Sequence, residues 1–208
     1  QPNSGNNLSV TSITIYDNAV LEIKGDTLKT AFLTTTAQGE LRITGGVIMQ
    51  SGNRQTSLVY FMPNTKLSAG KYRLGSTAAT ALPGEHDMYM MVNGYYEQSG
   101  GELYSEYPIV APVETRMNVS GGRMYIQAHS RLASIPHFSR SSALTIQGSA
   151  NPAFSKTFTN STLVISNPLL MVNATALSVA GPNISFANHN LMLGDTTLPV
   201  DMQESGSG

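Results

Sequence analysis

Three stretches of the chain share one rhythm: LRITGGVIMQ (41–50), YEQSGGELYS (96–105) and MNVSGGRMYIQ (117–127). Each alternates apolar and polar residues, reaches a Ser or Thr, passes through Gly-Gly and resumes alternating. Such alternation marks a half-buried strand. A glycine pair between two strands marks a bend or reversal, because glycine enters the left-handed backbone region without steric penalty. Two-residue hairpins are one solution, and a chain of hairpins builds an antiparallel sandwich. The spacing favours another. Gly100 recurs as Gly121, and LVISNPLLMV (163–172) superposes on ISFANHNLML (184–193) with Asn167 and Asn188 set the same distance apart. Asp17-Asn18, Pro63-Asn64, Asn93-Gly94 and Gly148 supply further bends between apolar runs. The sequence thus predicts an all-β fold, a right-handed parallel β-helix (a solenoid) with irregular rungs of about 20–28 residues. The alternative is an antiparallel β-sandwich.

In such a coil like-placed aliphatic residues stack in files. Alternation nominates Ile13, Ile15, Leu21, Ile23, Leu41, Ile43, Ile48, Met124, Ile126, Leu144, Ile146, Leu163, Ile165, Leu191 and Leu193 as the core. Asn167 and Asn188 are read as turn formers, with an amide ladder as the second reading. One helical turn is expected at most, within TAATALPGEHDMYMM (77–91), where Pro83-Gly84 interrupts it. The divisions expected are a polar cap over 1–12, the coil over 13–193 and a polar tail with a linker-like end over 194–208.

The chain has no cysteine, so hydrogen-bond ladders and packing alone must hold it. At 208 residues it hides roughly 70% of its unfolded surface, enough for a core without staples. Charged residues are 12% of the chain, and the net charge is −1. A surface covered by Ser, Thr, Asn and Gly in place of Lys and Glu points to an extracellular, cell-surface or virion-surface location. The near-zero net charge argues against nucleic acid as partner. No apolar run reaches the roughly 18 residues of a membrane span, so no membrane insertion is expected. The polar start QPNSGNNLSV fits a processed or excised segment. Asn-x-Ser/Thr sequons begin at Asn7, Asn118, Asn160, Asn173 and Asn183.

The run STLVISNPLLMVNATALSVAGPNISFANHNLML (161–193) resembles the rungs of β-solenoid surface proteins, namely filamentous-haemagglutinin-type and autotransporter adhesins and phage tailspikes. The likeness covers 41–50 and 88–193 and lies in the strand–bend–strand rhythm. It implies an exposed scaffold for attachment and carries over no catalytic residue.

Motifs for nucleophile elbows, zinc helices, nucleotide loops and EF-hands are missing. His86, His129, His137 and His189 lack zinc spacing, and GDT (25–27) and GDTT (194–197) read as turns, so neither metal nor cofactor is expected. The unusual segment is GEHDMYMMVNGYYEQSGGELYSEY (84–107). Its Tyr89, Tyr95, Tyr96, Tyr104 and Tyr107, with Glu97, Glu102 and Glu106, form the candidate ligand-binding set. Tyrosine offers an apolar face and a hydrogen-bonding tip, which suits sugar rings and protein surfaces, and carboxylates accept from hydroxyls. Charge then inverts: no Lys or Arg occurs from 74 to 115, and no acid from 115 to 194. Arg116, Arg123, Arg131 and Arg140 are therefore candidates for electrostatic docking, and stacking in chain order predicts charge polarity along the axis. The first reading is a non-enzymatic adhesion or surface-recognition module whose partner is a host-cell or surface glycan or protein, with self-association along the axis. A polysaccharide-cleaving tailspike or lyase, and a structural filament or virion subunit, are the alternatives.

Overall fold

A computed structural model describes residues 7–50, 59–75, 89–105, 107–126, 142–165, 175–193 and 200–202. Strands β1 (Asn7–Ile15), β2 (Val20–Ile23), β3 (Thr27–Thr35) and β4 (Glu40–Gln50) open the chain. They are followed by β5 (Val59–Met62), β6 (Thr65–Leu74), β7 (Tyr89–Val92), β8 (Tyr95–Gln98), β9 (Glu102–Ser105) and β10 (Ile109–Ala111). The remainder are β11 (Arg116–Val119), β12 (Arg123–Ile126), β13 (Ser142–Gln147), β14 (Lys156–Thr159), β15 (Thr162–Ile165), β16 (Thr175–Ala180), β17 (Ile184–Ala187), β18 (Asn190–Leu193) and β19 (Val200–Met202). Residues 89–91, the end of the expected helical turn, are strand; 77–88 lie outside the described residues.

The strands form one 14-stranded sheet and a second, 5-stranded sheet in the order β16-β13-β10-β7-β5. The larger sheet runs β17-β14-β11-β8-β6-β9-β12-β15-β18-β19, with β1 to β4 attached through β6. Among the described residues only β18 and β19 pair antiparallel; the antiparallel sandwich is thereby overturned.

The right-handed β-helix is overturned as well. Its rungs require separate sheet faces meeting at corners, whereas β6 hydrogen-bonds to both β8 and β9 and so joins the two sides into one continuous sheet. β4 does the same one strand earlier, pairing with β2 and β3 and running unbroken through Gly45-Gly46. The result is a curled half-barrel sheet with a second parallel sheet beside it. Nor do the pairing offsets keep to the expected rung length. Tyr95 pairs with Arg116, 21 on, but Thr65 pairs with Tyr96, 31 on, and Met117 with Lys156, 39 on. Leu163 pairs with Leu191, 28 on, so 163–172 and 184–193 do not stack as their likeness suggests. Asn167 lies outside the described residues, and Asn188 is a left-handed bend (φ 51°).

The curl divides the large sheet into two limbs. The first holds β2, the leading halves of β4 and β6, then β8, β11, β14 and β17. The second holds β3, the trailing halves of β4 and β6, then β9, β12, β15 and β18. A column of glycines joins the limbs. Gly101 (φ 69°) and Gly122 (φ 77°) lie one above the other in the left-handed region, and a Cβ on Gly122 would stand 2.5 Å from the Gly101 carbonyl oxygen. Glycine is required here twice over, by φ and by approach. The bend is hydrogen-bonded across strands, Arg123 N–H to Gly101 O (3.0 Å) and Thr162 N–H to Gly122 O (3.0 Å).

Inside the curl, columns of like-placed side chains form the core. Ile15, Leu41, Ile43, Ile48, Met124, Ile126, Leu144, Ile146, Leu163, Ile165 and Leu191 are buried there, as alternation predicts. Ile13, Leu21 and Ile23, near the outermost strands, are only partly buried. The side chain of Leu193 lies outside the described ones. Tyr96 and Gln98 are buried polar members whose groups are satisfied. Tyr96 Oη donates to Gln98 Oε1 (2.8 Å), and Gln98 Nε2 donates to the carbonyls of Gly101 and Arg123. A lost partner here would cost the full desolvation of the group left behind.

Candidate functional site

The outer face of the first limb carries the site. Parallel register places Arg42 beside Lys66, Lys66 beside Glu97, Glu97 beside Asn118, and Asn118 beside Thr157. Adjacent strands lie about 4.8 Å apart, so these side chains form one continuous polar column. A second column, Thr44, Ser68, Ser99 and Ser120, runs beside it where each strand enters its bend, and all four residues are exposed. Together these two columns, with Leu67 and Gln98, line a groove of about 570 Å³.

A rigid frame stands at one edge. Asn64 is buried and ties the starts of two strands together: its backbone carbonyl accepts from Leu41 N–H, and its Oδ1 accepts from Tyr95 N–H (3.3 Å). Its Nδ2 donates to the carbonyls of Ala37 and Gly39. Glu40 and Tyr95 therefore begin their strands in fixed positions. The Glu40 carboxylate, 9% exposed, accepts from Lys66 Nζ (2.8 Å), from Arg42 Nε and from Tyr95 Oη. Burial raises the Glu40 pKa, but the hydrogen bonds from Lys66, Tyr95 and Arg42 outweigh it and bring it down to about 2. Burial, and then the hydrogen bond to Glu40, push the Tyr95 phenol well above its usual range. The pair is thus a fixed carboxylate and a neutral phenol donor. Arg116 closes the frame: an Nη donates to Glu97 Oε1 (2.5 Å) and its guanidinium carbon lies 5.2 Å from the Tyr95 ring centroid.

The hydroxyl column is less committed. Thr44 Oγ1 donates to Glu22 Oε1 (3.2 Å), while Ser68 and Ser120 lean on the carbonyls of Ile43 and Gln98, each at 3.4 Å. Bonds of 3.4 Å are weak, which leaves the two serine hydroxyls able to serve a ligand. Thr157 Oγ1 donates to Asn118 Oδ1 (2.9 Å), which leaves the Asn118 amide N–H₂ as the donor group of that side chain.

The bend at Gly100-Gly101 separates the candidates of the 84–107 segment. Tyr95 and Glu97 lie on the first limb, Glu97 in the groove. Glu102 and Tyr104 lie on the second, where Glu102 pairs with Lys71 (2.9 Å) and Tyr104 lies under Arg73. Tyr96 is 0% exposed and Tyr107 is buried, so neither is a surface contact. Adjacent strand residues face opposite sides, so Tyr95 and Tyr96 cannot share a face. The Tyr89 side chain, Glu106, Arg131 and Arg140 lie outside the described residues. Arg116 is engaged with Glu97, and exposed Arg123 reaches Tyr125 Oη (3.4 Å). Among the described residues the acidic and basic stretches meet on neighbouring strands, Glu97 pairing with Arg116 and Glu102 standing beside Arg123.

Glu40, Arg42 and Lys66 are members the sequence did not nominate. The signal was present. Arg42-Ile-Thr44-Gly-Gly, Glu97-Gln-Ser99-Gly-Gly and Asn118-Val-Ser120-Gly-Gly have a fourth copy in Lys66-Leu-Ser68-Ala-Gly70, hidden by Ala69. The polar residue two before each Ser or Thr is the one that enters the groove. Among the described residues no group of three or more His, Cys, Asp or Glu comes together to hold a metal, and no helix is long and apolar enough to cross a membrane. No protein family, curated protein or solved structure matches the chain.

Proposed function

We propose that the protein is a non-enzymatic, extracellular surface-recognition module that binds saccharide chains along the first-limb groove. The carrying observation is the double column: one hydroxyl and one charged or amide side chain per strand, repeated along the groove. A sugar ring is about as long as one strand spacing, so a chain laid across the strands meets the same pair of hydrogen-bonding groups at each ring. Shallow polar grooves of this kind bind through many modest contacts, each worth about 1 kcal/mol net. Cleavage finds less support. Glu97 and Glu102 stand on different limbs, each already held by a cation, and a glycosidase needs two carboxyls flanking one bond.

A panel of immobilised polysaccharides tests the proposal. Binding should fall about tenfold or more in the double variant Ser99→Ala, Ser120→Ala, which removes two hydroxyls without touching the core. Equal binding by the folded double variant would move the site elsewhere.

A further inference from the structure

The charges at the groove do not balance, and the imbalance is local. Resting on the saccharide reading above, we infer that the groove takes an acidic saccharide, whose carboxylate or sulfate seats between Arg42 and Lys66.

Arg42 and Lys66 are register partners on neighbouring strands, both line the groove, and their side chains are 46% and 44% exposed. Both lean on one carboxylate, Glu40, whose single negative charge cannot neutralise two cations. Glu40 is also nearly closed to solvent and fixed in its ionised form by three donors, so it anchors both cations while offsetting only one of their charges. The other carboxylates nearby are already engaged. Glu97 is held by Arg116, and Glu22, beside Arg42 in register, is held by Lys24 (3.2 Å). Arg42, Lys66, Arg116 and Lys24 stand against Glu40, Glu97 and Glu22, leaving one positive charge unmatched where Arg42 and Lys66 meet the groove.

The geometry adds direction. Arg42 gives its Nε to Glu40; among the described residues its two Nη groups have no partner. A guanidinium edge with free Nη groups beside an ammonium is a preorganised seat for a planar or tetrahedral oxyanion. The hydroxyl column and Asn118 continue away from that seat, suited to the neutral rings of the same chain. The anion is therefore expected at one end of the bound segment and ring hydroxyls along the rest.

The test uses the unmodified protein and three polymers: polygalacturonate for carboxylate, dextran sulfate for sulfate, and dextran as neutral control. At low salt, one or both acidic polymers should bind at least tenfold more tightly than dextran, and the stronger of the two identifies the anion. That advantage should shrink severalfold at high salt, where the Debye length falls to about 3 Å. Lys66→Gln, which leaves Arg42 and Tyr95 on Glu40, should weaken binding of the acidic polymers severalfold more than binding of dextran, erasing most of the advantage. Equal affinity for dextran and both acids overturns this inference and leaves the saccharide reading intact. No binding to any of the three overturns both. Salt and the neutral control act on the native chain, so they decide the matter even where Lys66→Gln misfolds.

Discussion

The two limbs of the curled sheet share strand spacing, direction and a bend column, yet their outer faces differ in kind. On the first limb three donors converge on one shielded carboxylate, and the result is a fixed frame beside a groove. On the second, Lys71 meets Glu102 with side chains 57% and 36% exposed, and Arg73 lies over Tyr104. Exposed pairs of that sort contribute about 0–1 kcal/mol and hold nothing in place. Similar residue types therefore give a site on one limb and ordinary surface on the other. The difference is burial of the acceptor: a carboxylate out of water makes its partners' positions matter.

Breaking the column both limbs share should have the largest effect. Gly122→Ala sets a side chain against the Gly101 carbonyl at positive φ, and a loss of about 3 kcal/mol in urea unfolding is expected. Glu40→Gln comes next, about 2 kcal/mol, because two cations lose their common anchor. The same residue gives the wild type a pH signature. Its folded pKa lies below the unfolded 4.5, so its contribution is complete above about 4.5 and drains away as pH falls toward about 2. Glu40→Gln should flatten that acid limb of the stability profile.

Lys156 sharpens the contrast from the core side. It stands in the first limb's inner column between Met117 and Ile184, fully buried, with its Nζ donating to the carbonyls of Val113 and Phe154. Burial lowers its pKa. The folded chain thus sheds this proton more readily than the unfolded one, and stability should rise as pH climbs from the lowered value toward 10.5. Lys156→Met should abolish that rise and add about 1 kcal/mol at neutral pH. The smallest effect belongs to the second limb. Glu102→Gln should change stability by less than about 0.5 kcal/mol; a loss matching that of Glu40→Gln would erase the distinction between the limbs.

Much of this was written in local pattern. Gly100 and Gly121 announced a recurring bend, and most of the residues that alternation nominated are buried, although it passed over core members such as Leu33, Leu67, Leu103 and Met117. Long-range register was not. The long offsets, from Thr65 to Tyr96 and from Met117 to Lys156, arise where more residues separate the paired strands in sequence, and nothing in the repeat itself sets that number. The continuity of β4 and β6 through their glycines, which replaces corners with a curl, depends on both neighbours pairing at once. For the site, composition drew attention to the tyrosines, but parity sends Tyr96 inward while Tyr95 faces out. Lys66 and Arg42 lie far from Glu97 in sequence and meet it only through strand pairing.

That the first limb is the binding face is tested most directly by an NMR titration of the isotope-labelled protein with acidic saccharide fragments, following backbone amides. Shifts concentrated at Ser99, Asn118, Ser120 and Thr157, with Tyr104 and Tyr125 unmoved, are predicted. Shifts centred on Tyr104 and Tyr125, with the groove silent, would contradict it.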